Sequence, residues 1–501
     1  MPAIKSIQFI NHPIFRDATF DFCQPDGSTA KNIVLAGENG SGKTRLLEEL
    51  YYGTKREYAI DAKVRLEHQI IITLDLSDSD FYDIDHPRTK ATIAKLIASS
   101  DSDSTETFYK IEFFANHPAA QTSVDTPIPR VGEKSKHNQI VTFSLNSAYS
   151  TTEINYIAKR PVTGVTNVTL DSGRLEESSD VARDITQLLV DIASQDNDDL
   201  ALAVRENPTK TVPKSLLNNL RMRRFSTAFA KMFGDSLKYK TVRDNIMPVF
   251  EKDGTEVDLN ALSSGEKQIV FRSAYLLRNI NNLTGAPIFL DEPELSMHPK
   301  WARSIYEYYK NLFIKSSAKR SVQTSQVFMA THSADIVGAA IEDDTAIVLS
   351  LCLNCGLECP NSSAPFREPS ENSGSGPVAH KYSKHLTDEV LPTTTLAELK
   401  YFIFGIPSID LHIQLYSYLQ NTFTKGRAIR TVDEFLKQHG APRKKSLHKG
   451  RTNLLIYHTL PTYIRNSIDH PEKALTYTDT ELRTSIEFML NLIRTLRRAE
   501  K

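Results

Sequence analysis

Cysteine is scarce in this chain. Four in 501 residues are too few for a disulfide framework, and a reducing cytoplasm is the expected home. No run of about 18 apolar residues occurs, so no membrane-spanning helix is expected. The N-terminal MPAIKSIQFINHPIF alternates apolar and polar residues like a strand and lacks the charged-then-apolar layout of a signal peptide. Charge of one sign is missing too: 60 Lys and Arg against 61 Asp and Glu leave a formal net charge of −1, which excludes a chain basic throughout. The balance is uneven, because Lys425–Lys501 holds 16 Lys and Arg against 8 Asp and Glu. Such an excess suits nucleic acid or a solvated helical surface equally well. Neither an internal repeat nor a sustained heptad array is found, so a solenoid and a long coiled-coil arm are not expected. At 40% hydrophobic and 24% charged residues the composition is globular, and the length implies two or three domains.

What the chain does have is a set of short polar motifs at the ends of apolar runs. In KNIVLAGENGSGKTRLLEEL an apolar strand breaks into a glycine-rich turn and then a helix. Gly37–Thr44 fits the phosphate loop GxxxxGK[ST], in which Gly37, Asn39, Gly40, Ser41 and Gly42 turn backbone N–H groups toward phosphates. Lys43 is expected to reach the β- and γ-phosphates of ATP, and Thr44 to hold Mg²⁺. PIFLDE supplies Asp291 for the same Mg²⁺ shell and Glu292 to polarise the attacking water. Alone, that pair would read as strand-end carboxylates facing solvent. His332 closes QVFMATHS, where an imidazole can contact the γ-phosphate or the water. LSSGEKQ, at a helix start, places Ser263, Ser264 and Gly265 where a helix N-terminus favours an anion.

The order GENGSGKT, LSSGEKQ, IFLDEPE, ATHS resembles the ABC-type ATPases, above all the soluble branch with SMC proteins, RecF-like repair proteins and OLD-type nucleases. DEPELSMHP shares that branch's pattern, and transporter ATPases differ there. The resemblance covers residues 1–57 and about 236–350. It implies a composite site: two nucleotide domains face each other head to tail, and Ser263, Ser264 and Gly265 of one complete the γ-phosphate shell held by Gly37–Thr44 of the other. One motif set per chain then calls for a homo-oligomer. The family's glutamine loop is placed at Gln69. No DxD follows Val337, so a Toprim nuclease of the OLD kind is not expected.

The C-terminal LAELKYFIFGIPSIDLHIQLYSYLQ and the helical tail after it resemble ATPases of prokaryotic anti-phage systems, of the PtuA type in Septu and retron systems. That likeness implies an oligomer controlling a separate HNH nuclease effector. RNSIDH resembles the Rx4–6H motif of HEPN ribonucleases, with Arg465, Asn466 and His470 in the matching positions. The bare spacing recurs at Arg130–His137, Arg443–His448 and Arg451–His458, so a bundle used for assembly is the preferred reading. Cys352, Cys355 and Cys359 form CLNCGLEC, a spacing that suits a structural Zn²⁺ with His380, His385 or Cys23 completing the set. The second CxxC of a full zinc motif is missing.

The expected fold is α/β: an ABC-type P-loop ATPase with a mixed central sheet, an antiparallel sub-sheet, a helical insertion and a helical C-terminal domain. Its boundaries are drawn at 1–76 and 236–350 for the ATPase, 77–235 for inserted strands and helices, 351–386 for a cysteine-containing linker, and 387–501 for the helical domain. The expected function is an ATP-hydrolysing switch that controls a nuclease in phage defence. The rivals are a self-contained HEPN-like ribonuclease toxin, a RecF/SMC-like DNA-repair ATPase and a transporter ATPase.

Overall fold

A computed structural model describes residues 3–55, 68–75, 91–100, 107–115, 121–124, 147–150, 181–206, 220–244, 246–278, 285–295, 297–316, 321–352, 378–382, 395–426, 428–449, 454–471 and 475–500, with 212, 217 and 391 singly. The chain divides into one unit of Met1–Cys355 with Ser370–Leu386 and a second of Gly356–Pro369 with Thr387–Lys501.

In the first unit β1 (Ala3–Ile10), β2 (Thr19–Asp21), β3 (Asn32–Ala36) and α1 (Lys43–Lys55) come first. They are followed by β4 (Gln69–Asp75), β5 (Ala91–Ser100), β6 (Thr107–Ala115), β7 (Gln121–Val124) and β8 (Ala148–Ser150). The helices α2 (Val181–Glu206) and α3 (Arg221–Phe233) lead to β9 (Leu237–Arg243), β10 (Met247–Lys252) and β11 (Thr255–Asp258). Then come α4 (Ser264–Arg278), β12 (Pro287–Asp291), α5 (Pro299–Leu312), β13 (Ile314–Ser316) and β14 (Ser321–Gln323). The last elements are β15 (Gln326–Thr331), α6 (Ala334–Ile341), β16 (Ala346–Cys352) and β17 (Val378–Tyr382).

NIVLA, PIFLD and QVFMAT are unbroken buried runs, the pattern of strands covered on both faces. They lie in a sheet of order β17-β16-β3-β15-β12-β8, parallel except where β17 pairs antiparallel with β16. Register aligns the carboxyl ends: Ala36 lies opposite Thr331, and Asp291 opposite Ala330. Crevices beyond such ends are where open α/β sheets take ligands.

The second sheet, β2-β1-β4-β5-β6-β7, is antiparallel. Alternation along QIIITLD buries Ile70, Ile72 and Leu74. These pack with Ile7, Phe9 and Phe20, with Leu46, Leu47 and Leu50 of α1, and with Ile33, Leu35 and Phe328 of the parallel sheet. α1 therefore shares one core with both sheets, which fixes the helix that follows the phosphate loop. Along α3, Phe225, Phe229 and Phe233 line up at helical spacing against Tyr239, Phe250 and Trp301.

The second unit holds α7 (Leu396–Phe404), α8 (Ile409–Tyr418), a π-helical turn (Leu419–Phe423), α9 (Ile429–Gln438), β18 (Arg443–Lys449), β19 (Leu454–Thr459), α10 (Leu460–Asp469) and α11 (Asp479–Glu500). Leu411, Leu415, Ile464, Ile486, Met489 and Ile493 form its core. A full capping box joins Thr395 and Glu398 at the start of α7. Asp433 accepts from the N–H groups of His458 and Thr459 at 2.8 and 3.0 Å and from the Thr459 hydroxyl at 2.6 Å, which ties α9 to the entry of α10.

Four departures from the sequence reading stand out. β5 is a strand where none was read, and β7 pairs with β6 inside a stretch read as loop. β17 adds to the main sheet from within the span read as linker. β18 and β19 form an antiparallel hairpin in a region read as mostly helical, with a register shift between Arg443 and Ser446 that blurs a period-two pattern. The strand read at residues 138–145 lies outside the described residues.

Candidate nucleotide site

The loop between β3 and α1 depends on its glycines. Gly37 has φ 145°, and a Cβ there would sit 2.7 Å from the Leu351 carbonyl oxygen and 2.9 Å from Ser41 Oγ, so no side chain fits. Gly40 and Gly42 also have positive φ, 78° and 88°. Asn39 and Gly40 form the exposed tip, while Ser41 is buried.

Lys43 turns back into the loop. Its Nζ donates to the carbonyls of Gly37 and Glu38 at 3.0 and 2.8 Å and lies 3.4 Å from Ser41 Oγ. Burial lowers its pKa to about 8, and the carboxylates of Glu292, Asp291 and Glu294 oppose that shift. At the next position Thr44 Oγ1 donates to Asp291 Oδ1 at 3.1 Å. Asp291 is pushed up to about 6, chiefly by burial, with the Thr44 hydrogen bond working the other way and Glu292 adding to the rise. A buried ammonium and a buried carboxylate, each displaced toward neutrality, fit a site that gains a phosphate beside the one and a divalent cation beside the other.

Glu292 follows at the strand end with φ 42°, a left-handed conformation costly for a residue with a Cβ. Its N–H is held by the Ala330 carbonyl at 2.9 Å. His332 Nε2 lies 2.6 Å from Glu292 Oε1. Its Nδ1 lies 3.1 Å from the Gly37 carbonyl oxygen and 3.4 Å from Lys43 Nζ. The structure thus brings Gly37, Lys43, Thr44, Asp291, Glu292 and His332 together across β3, β12 and β15.

Sequence reasoning missed Arg272 and Gln268, both buried in α4. Arg272 donates from Nη1 to the Asp291 carbonyl at 2.8 Å and from Nη2 to the Glu292 carbonyl at 3.4 Å. With the Gln268 amide turned to match its neighbours, its oxygen accepts from Arg272 Nη2 at 2.9 Å and Nε at 3.3 Å, and its nitrogen donates to the Leu295 carbonyl. The available signal was a polar pair at i, i+4 inside SGEKQIVFRSAYLLR, a helix otherwise apolar on that side.

Ser263 and Ser264 are exposed, and Gly265 is buried. Part of LSSGEKQ is satisfied in its own chain. Ser263 Oγ accepts from the Glu266 N–H at 3.4 Å, and Glu266 Oε2 accepts from the Ser263 N–H at 2.7 Å and from Lys252 Nζ at 2.8 Å. This reciprocal cap starts α4. Burial works to raise the Glu266 pKa, but the Lys252 and Ser263 hydrogen bonds outweigh it and leave the group below its usual value. Among the described residues no hydrogen bond joins Ser263 or Ser264 to Gly37–Thr44 of the same chain.

The other candidates lie elsewhere. Gln69 opens β4 and pairs with Ile10 in the antiparallel sheet. β12 is flanked by β15 and β8, with Ser150 of β8 opposite Leu290. Zinc finds no support. Cys352 ends β16, while Cys355, Cys359 and His385 lie outside the described residues. His380 sits in β17 opposite Ser350. Cys23 is buried, its thiol pushed up to about 12 first by burial and then by Asp21. In the second unit RNSIDH ends α10. Arg465 bonds Asp469 at 2.5 Å and the Asn466 side-chain oxygen at 3.1 Å, Asn466 is fully buried, and the His470 N–H closes the helix on the Asn466 carbonyl.

One cluster went unread. His12, Glu49 and His68 bring ligand atoms within 4.8 Å of one another. His12 Nδ1 accepts the N–H groups of Ile14 and Phe15 at 3.1 and 2.9 Å, so the proton of the neutral ring sits on Nε2, which faces Glu49 Oε1 at 3.2 Å. A cation would need that Nε2 lone pair. The cluster is a hydrogen-bonded pin on α1.

Fold and motif order are those of an ABC-type P-loop ATPase. The family described as "AAA domain, putative AbiEii toxin, Type IV TA system" matches residues 33–338, more than half of the chain, and the chain belongs to that family. Among solved structures it is similar to an SMC head bound to the C-terminal winged-helix domain of ScpA, at 11% identity over 76% of this chain and 97% of that one, with a TM-score of 0.39. An SMC head from Pyrococcus furiosus with an extended coiled coil, bound to the C-terminal domain of ScpA, is similar at 11% identity over 77% and 97%, with a TM-score of 0.39. The SMC head domain of Thermotoga maritima is similar at 12% identity over 69% and 94%, with a TM-score of 0.30. No curated protein matches the chain. Among the described residues no helix is long and apolar enough to cross a membrane.

Proposed function

We propose that the chain is an ATP-hydrolysing switch whose nucleotide sites are completed by a second copy of itself. The observation that carries the reading is the meeting of Lys43, Thr44, Asp291, Glu292 and His332 at the carboxyl ends of neighbouring parallel strands. The Gly37–Thr44 backbone and the N-terminus of α1 cradle the phosphates, and Lys43 exchanges its loop carbonyls for phosphate oxygens. Thr44 and Asp291 hold Mg²⁺, which when bound neutralises charge on the phosphates. Glu292 takes a proton from the attacking water, with His332 orienting its carboxylate.

Ser263, Ser264 and Gly265 contact the γ-phosphate held by the partner copy, so assembly and nucleotide state are linked. ATP gains contacts in the assembled state that the separate chains lack, as a switch requires. The resemblance of the C-terminal tail to anti-phage ATPases supports the further reading that the switch acts in the cytoplasm on a nuclease effector, such as an HNH protein, in phage defence. The Arg465–Asp469 ion pair and the burial of Asn466 favour an assembly role for the second unit over RNA cleavage by Arg465 and His470.

The test is a sizing experiment with ATP and Mg²⁺, run beside an assay of phosphate release. Glu292→Gln is expected to lower turnover by at least about 100-fold and to accumulate the assembled form. Ser263→Arg is expected to lose both assembly and turnover. If neither variant changes either quantity, the composite site is refuted.

A further inference from the structure

We propose that Glu294, the third carboxylate of the DEPE segment, is a positioning residue for hydrolysis: it fixes the backbone of His332 and so places the imidazole against Glu292. The inference rests on the role in hydrolysis given above to Glu292 and His332.

After Asp291 the chain leaves the sheet in a tight turn, in which the Leu295 N–H donates to the Glu292 carbonyl at 3.1 Å and the Met297 N–H to the Glu294 carbonyl at 3.0 Å. That turn returns the Glu294 side chain to the end of β15. There Oε1 accepts from Thr331 Oγ1 at 2.5 Å and from the His332 N–H at 2.9 Å. Thr331 Oγ1 in turn accepts from the Ser333 N–H at 2.9 Å. The pairing of β15 with β3 ends at Thr331 and that with β12 at Ala330, so the His332 N–H has run out of strand partners. A carboxylate oxygen takes the place of the missing strand, and bonds to an ionised acceptor are the strong ones.

From this fixed backbone the His332 ring spans from Glu292 Oε1 at 2.6 Å to the Gly37 carbonyl at 3.1 Å. One residue therefore sets the point from which the imidazole bridges the phosphate loop and the carboxylate. Both bonds of Glu294 go through a single oxygen, while Oε2 is buried with no hydrogen-bond partner among the described residues. What the site uses is an acceptor at one position, which a glutamine can also supply.

Glu294→Ala is expected to lower kcat for ATP by roughly 10- to 100-fold, the scale of a misplaced catalytic group, with KM for ATP changed less than about threefold. Glu294→Gln should keep at least about a third of wild-type kcat, since its amide oxygen still accepts both bonds. A second readout needs no nucleotide: hydrogen exchange of the 326–333 segment in the full-length, nucleotide-free chain. Alanine should speed exchange at the His332 amide at least about tenfold, and glutamine should not. Wild-type kcat in Glu294→Ala, a loss carried by KM alone, or unchanged exchange at His332 would each overturn the proposal. Full turnover by Glu292→Gln would instead defeat the hydrolytic role of Glu292, and the exchange result would still decide whether Glu294 holds His332.

Discussion

Replacing Arg272 by methionine tests whether α4 holds the carboxyl end of β12. The guanidinium is fully buried and makes its shortest bond, 2.8 Å, to the Asp291 carbonyl, with longer ones to the Glu292 carbonyl and the Gln268 amide. A hydrogen bond to a charged group contributes about 1.5–3 kcal/mol, and a buried acceptor left bare costs about 1–3 kcal/mol. Against this, methionine fills much of the same volume and removes the desolvation cost of a buried cation. The expected net loss is about 2–4 kcal/mol, or roughly 3–5 °C for a unit of this size. Trp301 makes the assay selective. It is the only tryptophan in the chain, lies in the first unit and packs edge-on against Phe233 at a centroid distance of 5.0 Å, so its emission follows that unit alone. Turnover should fall as well, because the carbonyl of Glu292, a residue at φ 42°, loses its clamp. Arg272→Lys should recover only part of either loss, since an ammonium cannot span two carbonyls and an amide as a planar fork does. A methionine variant that melts within about 1 °C of wild type with unchanged turnover would refute the reasoning.

Two further predictions concern stability. His412, in the core of the second unit with Nε2 3.0 Å from Ser485 Oγ, has its pKa pushed down to about 3 by burial. The unfolded chain takes up this proton below about pH 6.5 and the folded one does not, so the stability of that unit is full above pH 6.5 and declines as pH falls toward 3. At pH 4.5 the loss is about 3 kcal/mol. It should appear as faster hydrogen exchange in residues 409–418 and be absent from the pH response of His412→Leu; equal pH responses would contradict it. Glu266→Ala removes half of the reciprocal cap on α4 and should cost about 1–2 kcal/mol by the Trp301 melt. Glu266→Gln should retain more than half of that contribution, and an alanine melt equal to wild type would deny the cap any weight.

The fold class was legible because its signals are local. NIVLA, PIFLD and QVFMAT are continuous apolar runs, and each is followed within two residues by a glycine, a carboxylate or a histidine, which marks strand ends at one edge of a parallel sheet. β8 is three residues, AYS, too short to carry a period. QTSV in β7 is mostly polar and becomes a strand by pairing with β6, a partner that propensity does not name. VAHKY in β17 follows a Ser-, Pro- and Gly-rich stretch and was absorbed into it, although it continues the main sheet. In the second unit the basic run RKKSLHK reads as a solvated face whatever its backbone does. There the pairing with LLIYHT decides the structure.

At the site, the groups that sequence could name are those whose chemistry is written into adjacent residues, such as glycines before a lysine and a carboxylate pair after an apolar strand. Arg272, Gln268 and Glu294 were not legible in that way, because each reaches backbone carbonyls or N–H groups of distant strand ends, which every residue has. LSSGEKQ falls between these cases. Its serine invited an external ligand, yet the lone pair that Ser263 uses within its own chain accepts the Glu266 N–H, and the Ser263 N–H is taken by Glu266. A hydroxyl has one proton to give and two lone pairs, and the cap occupies a lone pair only. Ser263 is exposed with its hydroxyl proton uncommitted among the described residues, beside the N–H groups of a helix start. Phosphate oxygens accept and cannot donate once ionised, so the cap leaves Ser263 with the one function such a partner needs. In the proposed assembly Glu266→Ala keeps the residue-266 N–H that Ser263 Oγ accepts and removes only the acceptor of the Ser263 N–H, so it should weaken ATP-dependent association by loosening the Ser263 backbone, and association equal to wild type in the sizing experiment would refute that role.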